Sequence, residues 1–421
     1  MKVFKFGGAS LANNERIENL VQLLRSYRED KILIVISAIG KTTNALEKVA
    51  EAFYANNQEL ALSLFEGIKN KHITLIKYLL VRSYNKALEN LLNFFTEVEW
   101  ILHDKPVRSF NYYYDQIVCT GELLSSFIVS VYLNEAGLTN QWLDVRDILR
   151  TNNTFKEAVI DWDFTTRMTG ETVIPALNDN NFVITQGFIG ATDENESTTL
   201  GREGSDYSAA IFANILNAEN ITIWKDVEGI LNADPKKFPD AVLIPELNYT
   251  EVIEMAYYGA QVIHPKTIKP LQNKGIPLYV KCFLDPSLPG TIIHKKNIKG
   301  LPPIRVVKEK QVLMQLNAKD FSFVGEQAVG QLYHLFEEIK IKPNLSQNGA
   351  ISFVCCMDDE PDRIEKLAIA ASDFFDVQLE KGLTLLTIRH YNEELLQKMV
   401  EGKRVILKQQ TAETVQVLMG S

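Results

Sequence analysis

Residues 183–214, VITQGFIGATDENESTTLGREGSDYSAAIFAN, limit the fold of this 421-residue chain more than any other segment. The apolar start of the segment predicts a β-strand, and the apolar pattern of residues 208–215 predicts a helix. Between them, Gly201 and Gly204 allow a ligand to approach the backbone closely. A loop that leads from a strand into a helix offers free N–H groups and the positive end of the helix dipole. The segment therefore predicts an α/β fold with an anion site at this loop.

Two charged side chains in the same loop have both a functional and a structural interpretation. Arg202 carries a fork of donors that suits a carboxylate or a phosphate, and Asp206 places a carboxylate at the start of the helix. In the structural interpretation, Asp206 caps an ordinary helix and Arg202 extends into solvent. This segment alone leaves both interpretations open.

The N-terminus contains a second glycine turn. Residues 1–6 alternate between apolar and basic side chains, the diglycine Gly7-Gly8 follows, and a helical pattern begins at Asn13. Lys5 lies just before the turn, separated from it by Phe6, at the carboxyl end of the predicted first strand. A lysine in this position can contact phosphate oxygens while the glycines let backbone N–H groups approach them.

KFGGAS at the start and LGREGSDYSAA in the centre resemble the aspartate kinases of the amino-acid kinase family, whose patterns are KFGGTS and TTLGRGGSDxSA. The chain departs from these patterns at Ala9 and Glu203. WKDVEGILNADPK is similar to the family's W(T/K)DVxGxxxxDPR, with departures at Leu231 and Lys236, and YGAQVIHP is similar to FGAKVxHP, with Gln261 in place of lysine. The resemblance implies a three-layer αβα amino-acid kinase fold with a mainly helical inserted lobe, followed by α+β ACT-like regulatory modules.

The resemblance also implies an ATP site and an L-aspartate site. Lys5 and Asp206 are the candidate catalytic residues, and His264 is expected to be a structural histidine that ends a helix. The candidate residues for ATP are Lys5, Gly7, Gly8, Ser10, Lys225, Asp226, Leu231, Lys236 and Gln261. The candidate residues for aspartate are Thr43, Glu122, Arg202, Gly204 and Ser205.

Several of these assignments have alternatives. Thr42 competes with Thr43, and either threonine could instead cap the following helix. Glu122 could be a solvated helix glutamate. Asp144 and Arg146 fit equally well as a structural ion pair and as walls of the amino-acid site.

The implied reaction is phosphoryl transfer from ATP to the side-chain carboxylate of aspartate, the first step of lysine, threonine and methionine biosynthesis. The expected cofactor Mg²⁺ would be held mainly by ATP and water, because the sequence shows no cage of carboxylates and no metal-ligand cluster. Two alternatives stay open: a glutamate or acetylglutamate kinase of the same family, and a catalytically inactive amino-acid-sensing regulator. The departures at Ala9, Glu203 and Gln261 favour the inactive protein, whereas Lys5 and the other candidate site residues favour the enzyme.

The amino-acid composition of the chain narrows the kinds of molecule that it is expected to bind. The formal net charge is -9, from 44 basic and 53 acidic residues, which disfavours a nucleic-acid surface. The four cysteines show no CxxC spacing, so reduced thiols in a cytoplasm are expected. No apolar run approaches the ~18 residues of a membrane helix, and no secretory signal is visible, so a cytoplasmic protein without membrane partners is predicted.

The expected domains are an amino-acid kinase domain in residues 1–295, with a helical insertion at about 45–105, a linker at 296–308, and a tandem ACT-like region at 309–421 whose second module is abbreviated. The resemblance implies lysine or threonine as a feedback effector, bound near residues 317–321 and 344–348. It also implies a homodimer or a dimer of dimers.

Overall fold

The computed structural model describes residues 1–319 and 323–420. Internal contacts divide the chain into two units, each built from segments that are separate in sequence. The first unit contains Met1–Ile230, Leu243–Ile253 and Val262–Ile298. The second unit contains Leu231–Val242, Glu254–Gln261 and Lys299–Ser421.

The first unit is built on a mainly parallel sheet of eight strands within the described residues, in the order β3-β4-β2-β1-β7-β9-β10-β8. A separate pair, β5 and β6, is antiparallel. The buried apolar run ILIVI forms β2, as its composition predicts. The strands are β1 (Lys2–Phe6), β2 (Ile32–Ile36), β3 (Asn140–Trp142), β4 (Phe182–Gln186), β5 (Ile189–Ala191), β6 (Ser197–Thr199), β7 (Asn220–Lys225), β8 (Glu246–Asn248), β9 (Leu278–Cys282) and β10 (Thr291–His294).

Helices connect these strands, and the predicted helical insertion is present as α2 to α4. Its core is built by buried aromatic side chains that include Phe53, Phe65 and Phe95. The helices up to residue 274 are α1 (Asn14–Arg25), α2 (Thr42–Tyr54), α3 (Gln58–Leu79), α4 (Tyr84–His103), α5 (Phe110–Val118), α6 (Thr120–Glu135), α7 (Trp162–Met168), α8 (Ile174–Asp179), α9 (Gly204–Ile215), α10 (Tyr249–Tyr257) and α11 (Pro265–Lys274).

One expectation about apolar segments is corrected. Helices α5 and α6 together span Phe110–Glu135, which by length and composition could cross a membrane. However, 78% of its most apolar window is buried inside the protein. The sequence is apolar here because the helix lies in the core, against the sheet and the helical insertion.

The order of the strands places a crevice beside β1. β1 pairs in parallel with β2 on one side and with β7 on the other. The chain continues from β1 to β2, whereas β7 lies on the side of β9, so the connections that leave the carboxyl ends of β1 and β7 lead in opposite directions. In open α/β sheets, ligands bind outside the carboxyl ends of strands at such a switch point.

The second unit contains a six-stranded antiparallel sheet within the described residues, in the order β12-β13-β11-β14-β16-β15. The order β11, α12, β12, β13, α13, β14 completes one β-α-β-β-α-β module, and only α14, β15 and β16 remain for the second. The expected α+β modules are therefore confirmed. The elements are β11 (Ile304–Ala318), α12 (Glu326–Ile339), β12 (Pro343–Asn348), β13 (Ser352–Asp358), α13 (Pro361–Ala371), β14 (Phe375–Arg389), α14 (Glu393–Val400), β15 (Arg404–Gln410) and β16 (Thr414–Gly420).

Candidate functional site

A buried ion pair lies at the carboxyl end of β1. Nζ of Lys5 is 2.7 Å from Oδ1 of Asp206, in the first turn of α9, and the two residues are only 9% and 3% exposed. Burial opposes the charged form of Asp206, but the positive charges of Lys5 and Lys225 outweigh it and lower the pKa of this carboxyl. The structure therefore joins the first-strand lysine and the central loop, which are two hundred residues apart in sequence.

The glycine turn after β1 is closely packed on one side and open beside Lys5. A Cβ at Gly8 would lie 2.6 Å from the carbonyl oxygen of Ala38 and 2.7 Å from that of Gly40, so no larger residue fits without a shift. A Cβ at Gly7 would lie 3.4 Å from Nζ of Lys5. The turn thus keeps the space around the ammonium group free of side chains.

Ser10 is buried, and its hydroxyl has a partner in the protein. Its hydroxyl donates to the carbonyl oxygen of Trp224 at 3.3 Å, and the residue is 1% exposed. This bond connects the turn after β1 to β7. At the carboxyl end of β7, Nζ of Lys225 donates to the carbonyl oxygen of Val262 at 2.9 Å, and Asp226 is exposed.

Helix α9 begins four residues earlier than the apolar pattern suggests, at Gly204. Glu203 is the N-cap residue and has a left-handed backbone, with φ of 53°. Asp206 therefore lies inside the first turn, and the interpretation of Asp206 as the helix cap is wrong. Ser205 is buried and packs against Gly187, where a Cβ would approach Cβ of Ser205 to 2.6 Å.

The carboxylate of Glu203 has a structural partner. Its Oε2 accepts a hydrogen bond of 2.9 Å from the backbone N–H of His264. His264 is the N-cap of α11, where its Nδ1 accepts from the N–H of Lys266 at 3.2 Å. The histidine thus begins a helix rather than ending one, because Pro265 occupies the first helical position, where no N–H is needed. Burial lowers the pKa of His264, which suits an accepting Nδ1.

Arg202 is exposed, and its guanidinium forms no ion pair with another described residue. Its position directly before Glu203 and the α9 N-terminus leaves its donors available to a ligand. The exposure is equally compatible with the interpretation in which Arg202 lies in solvent.

Glu122 is a buried acid in the first turn of α6, only 2% exposed. Its Oε1 accepts a long hydrogen bond of 3.4 Å from the N–H of Ala38, and its Oε2 has no hydrogen-bond partner among the described residues. Burial raises the pKa of Glu122 to about 8, against the opposing effects of the Ala38 amide and the charge of Lys5. Because a buried carboxylate without partners is costly, this geometry excludes a solvated helix glutamate and suits a cationic ligand group.

The two candidate threonines differ in their surroundings. Thr42 is 2% exposed, and its hydroxyl donates to the carbonyl oxygen of Ile39 at 2.7 Å. Thr43 is partly exposed in the first turn of α2. Since the Thr42 hydroxyl already serves the turn, the geometry favours Thr43 for contact with a substrate.

Asp144 and Arg146 form the expected ion pair. Nη2 of Arg146 lies 2.7 Å from Oδ2 of Asp144, and Nε donates to both carboxylate oxygens at 3.1 Å. Asp144 also accepts from the backbone N–H of Arg146 at 3.0 Å. The pair therefore stabilises the turn that contains both residues.

Three of the candidate ATP residues belong to the second unit. Leu231 and Lys236 lie in Leu231–Val242, and Gln261 ends Glu254–Gln261. Lys236 and Gln261 are exposed, and the N–H of Lys236 donates to Oδ1 of Asp234 at 3.0 Å.

One residue near the site was missed in the sequence. Asp115, in α5, is fully buried, and its Oδ2 accepts from the N–H groups of Lys156 at 2.9 Å and of Thr199 at 2.8 Å. Its Oδ1 accepts from the hydroxyl of Thr199 at 2.7 Å. Burial raises the pKa of Asp115 to about 6, and these hydrogen bonds oppose the rise. Asp115 therefore fixes β6, which leads directly into the Gly201 loop.

The residues at the switch point fit the phosphates of a nucleotide. Lys5 and Lys225 supply positive charge, the side-chain-free turn at Gly7 leaves space beside Lys5, and the N-terminus of α9 faces the same pair. Among the described residues, no group of three or more His, Cys, Asp or Glu side chains could hold a metal ion.

Comparisons of this chain with known proteins agree with one another. The profile of the "Amino acid kinase family" matches residues 1–282. Lysine-sensitive aspartokinase 3 of Escherichia coli (strain K12) is 28% identical over 396 residues, which cover 92% of this chain and 86% of that protein. The chloroplastic bifunctional aspartokinase/homoserine dehydrogenase 2 of Arabidopsis thaliana is 34% identical over 294 residues, covering 69% of this chain. The chain spans only 32% of the length of that bifunctional relative.

Two solved structures of E. coli aspartokinase III are similar over nearly the whole chain. The complex with lysine and aspartate has a TM-score of 0.82 at 26% identity, covering 99% of this chain and 95% of that one. The complex with aspartate and ADP has a TM-score of 0.80 at 26% identity, covering 100% and 96%.

Proposed function

This chain belongs to the amino acid kinase family, and from that premise we propose that it is an aspartate kinase, which transfers the γ-phosphoryl group of ATP to the side-chain carboxylate of L-aspartate. The observation that carries the proposal is the buried Lys5–Asp206 pair near the unpartnered carboxylate oxygen of Glu122. A buried ion pair is weak evidence for stability, so its position at a ligand-binding edge of the sheet favours function. The aspartate- and ADP-bound structure of the E. coli relative supports the same substrate and nucleotide.

In the proposed reaction, a carboxylate oxygen of aspartate attacks the γ-phosphorus in line with the leaving group. The bond between the γ-phosphorus and the β,γ-bridging oxygen breaks, and ADP leaves with the electron pair. No proton has to be removed, because the carboxylate is already ionised at neutral pH. Catalysis then requires alignment and charge stabilisation rather than a general base.

Lys5 is assigned to the charge that develops on the phosphoryl oxygens, and Asp206 is assigned to its orientation. The 2.7 Å contact holds the ammonium group in place before the nucleotide binds. A donor fixed in advance stabilises a developing charge without reorganisation during the reaction. Gly7, Gly8 and Lys225 would complete the phosphate contacts. Mg²⁺, held by ATP and water, would neutralise part of the phosphate charge.

Glu122 is assigned to the ammonium group of aspartate. It provides a carboxylate oxygen that no described residue occupies, in a buried position where a charge-assisted hydrogen bond is strong. Arg202 would bind the α-carboxylate and Thr43 a carboxylate oxygen, with Gly204 and Ser205 at the helix N-terminus. Asp226, Leu231, Lys236 and Gln261 remain proposed contacts of the nucleotide.

The test is a coupled assay of ADP formation with the purified full-length chain, ATP, Mg²⁺ and a panel of aspartate, glutamate and N-acetylglutamate. Aspartate is expected to give the highest kcat/KM, and hydroxylamine should trap the acyl phosphate product as a hydroxamate. A preference for glutamate or N-acetylglutamate would assign another activity of the family. If no amino acid of the panel stimulates any ADP formation and no hydroxamate forms, the protein is the inactive regulator.

Several wider proposals rest on the same assignment. The product would enter lysine, threonine and methionine biosynthesis, and the chain would form a homodimer or a dimer of dimers through its regulatory modules. We further propose the division into a kinase domain at 1–295, a linker at 296–308 and a regulatory region at 309–421. A cytoplasmic location, without membrane or nucleic-acid partners, remains a prediction.

Lysine is favoured over threonine as the feedback effector, because the E. coli relative is named lysine-sensitive and its structure contains lysine. Of the two segments expected to bind the effector, 317–321 includes Asp320 and Phe321, which lie outside the described residues. The other begins with Asn344, whose side-chain amide donates to Gln311 at 2.9 Å and to Asp358 at 3.0 Å. Calorimetric titration with lysine and with threonine tests this proposal.

A further inference from the structure

The second unit contains a partly open cavity of about 210 Å³ next to the end of α10 and the start of β12. A single water needs only ~10–15 Å³ of such space, so the cavity can admit a small organic ion. Its lining includes two tyrosines at the end of α10, three lysines and an asparagine: Tyr257, Tyr258, Lys308, Lys340, Lys342 and Asn344.

The lysines and the carboxylates that line this cavity differ in their partners. None of Lys308, Lys340 and Lys342 forms an ion pair with another described residue. The two carboxylates that also line the cavity are engaged elsewhere. Asp358 accepts from Gln311 at 2.7 Å and from Asn344 at 3.0 Å, and Glu360 pairs with Arg363 at 2.7 Å.

The charges at the cavity therefore do not balance. Three lysines and two carboxylates line the cavity, which gives a net charge of +1, and the pairing of Arg363 with Glu360 offsets one of the two negative charges. Cations in excess of the carboxylates around one cavity repel one another, and an anion that binds there reduces that repulsion.

Two of the lysines are held in position before any ligand binds. The stem of Lys308 crosses Gly259, where a Cβ would lie 2.4 Å from Cε, and its Nζ donates to Oδ1 of Asn344 at 2.7 Å. Nζ of Lys342 lies 4.7 Å from the ring centroid of Tyr257. Both contacts fix the lysines through neutral groups, so they leave the positive charge uncompensated.

We propose that this cavity binds a small dianion carrying carboxylate or phosphate groups. The excess of positive charge in the lining complements such a ligand, whereas lysine would bring further ammonium groups into the site. Tyr257 and Tyr258 lie four and three residues before Gln261, within the same segment of the second unit. A bound dianion would thus contact the segment that carries a proposed nucleotide residue.

The test is isothermal titration of the full chain carrying Lys5→Met, which weakens phosphate binding at the proposed active site. Succinate and inorganic phosphate are titrated separately at constant ionic strength, without ATP or aspartate. Saturable binding of succinate identifies a dicarboxylate site, and saturable binding of phosphate identifies a phosphate site. Because the readout is binding, it is independent of whether the protein is an aspartate kinase.

Two variants and one control localise the site. Lys342→Met and Lys340→Asn should each weaken binding by about tenfold or more, since each removes a charged donor. Asparagine is chosen because Lys340 has a left-handed backbone, with φ of 57°. Lys366→Met, an exposed lysine of α13 outside the cavity, should bind as the parent does. The proposal is overturned if neither probe binds saturably up to about 10 mM, or if the control and the two variants bind alike.

Discussion

At the scale of single residues, Lys5 carries the proposed phosphoryl transfer. Lys5→Met should lower kcat by about 10²–10³-fold, the usual effect of removing one preorganised donor. The Kd for aspartate should change little, because Glu122 and Arg202 are assigned to that ligand. Steady-state kinetics and calorimetry measure the two quantities separately.

Lys2→Met is the matched control for Lys5→Met. Lys2 lies on the same strand, and its ammonium pairs with Asp30 at 2.8 Å outside the site, so kcat should be retained. Removing Lys5 leaves Asp206 buried and unpaired, which is costly, so circular dichroism must confirm that the variant folds. A folded Lys5→Met protein with an unimpaired kcat would remove Lys5 from the mechanism.

The raised pKa of Glu122 predicts that the affinity for aspartate depends on pH. Burial raises the pKa of Glu122 to about 8 in the free protein, so the carboxyl is largely protonated at pH 7. An ammonium ligand binds the ionised form, and binding therefore releases a proton. Affinity for aspartate should rise about tenfold per pH unit well below pH 8 and level off above it.

Calorimetry in buffers of different ionisation enthalpy measures this proton release directly. Glu122→Gln keeps the shape of the side chain but cannot ionise, so both the proton release and the pH slope should disappear. Aspartate binding that is independent of pH between about 6 and 8 in the parent protein would contradict the assignment of Glu122 to the ammonium group.

At the scale of secondary-structure elements, Glu203 connects the N-termini of α9 and α11. The carboxylate bonds to His264 rather than pointing freely into the site, so it should not block catalysis. We expect Glu203→Gly to lower kcat/KM by a few-fold, since the loop that carries Arg202 loses this connection.

The free energy of unfolding of Glu203→Gly should change by less than about 1 kcal/mol. Glycine relieves the cost of a left-handed backbone, of roughly 1–2 kcal/mol, while the lost hydrogen bond costs a similar amount. Glu203→Gln retains an acceptor and should resemble the parent enzyme. A large gain in activity for Glu203→Gly would instead support the view that this departure impairs the site.

Asp115 joins α5 to β6, and two substitutions there should differ in effect. Asp115→Ala leaves three donors unsatisfied and should lower the free energy of unfolding by about 2–4 kcal/mol. In Asp115→Asn, the amide oxygen can accept from both backbone N–H groups while the amide nitrogen donates to the Thr199 hydroxyl. That variant should lose less than about 1 kcal/mol. Urea denaturation measures the free energy of unfolding of both variants. Equal losses would show that stability depends on the charge of Asp115 rather than on its pattern of hydrogen bonds.

These elements also show what the sequence could predict. Lys5 before a diglycine and the apolar run of β2 follow from local patterns, and both are present as expected. The partners of Asp115 and Glu203 lie about 40 to 80 residues away in sequence. A buried acid in an apolar helix and an acid in a glycine-rich loop look like surface residues until those partners are known. Local periodicity carries no information about such bonds.

At the scale of the whole molecule, chain order could not predict which segments belong to which unit. The expected boundary treats residues 1–295 as one domain, yet Leu231–Val242 and Glu254–Gln261 have most of their contacts in the second unit. Both segments carry motif residues of the kinase family. The membership of a segment in a unit depends on tertiary contacts, which sequence motifs do not encode.

This division predicts that a residue in β11 controls the binding of ATP. The backbone N–H of Arg305 donates to the carbonyl oxygen of Asn232 at 2.8 Å, and its guanidinium pairs with Asp240 at 2.9 Å and lies 4.5 Å from the ring centroid of Phe238. These contacts hold the segment that contains Leu231 and Lys236. Arg305→Met removes the guanidinium contacts, so the KM for ATP should rise by about three- to tenfold, while aspartate binding stays unchanged by calorimetry.

Arg404→Met is the control for this experiment, because Arg404 pairs with Glu380 at an exposed position of the same unit and has no contact with Leu231–Val242 among the described residues. Its KM for ATP should equal that of the parent. If Arg305→Met is destabilised but keeps the parent KM for ATP, the segment is structural only, and Leu231 and Lys236 do not bind the nucleotide. If the KM rises in Arg305→Met alone, the result supports the proposed nucleotide contacts of Leu231 and Lys236.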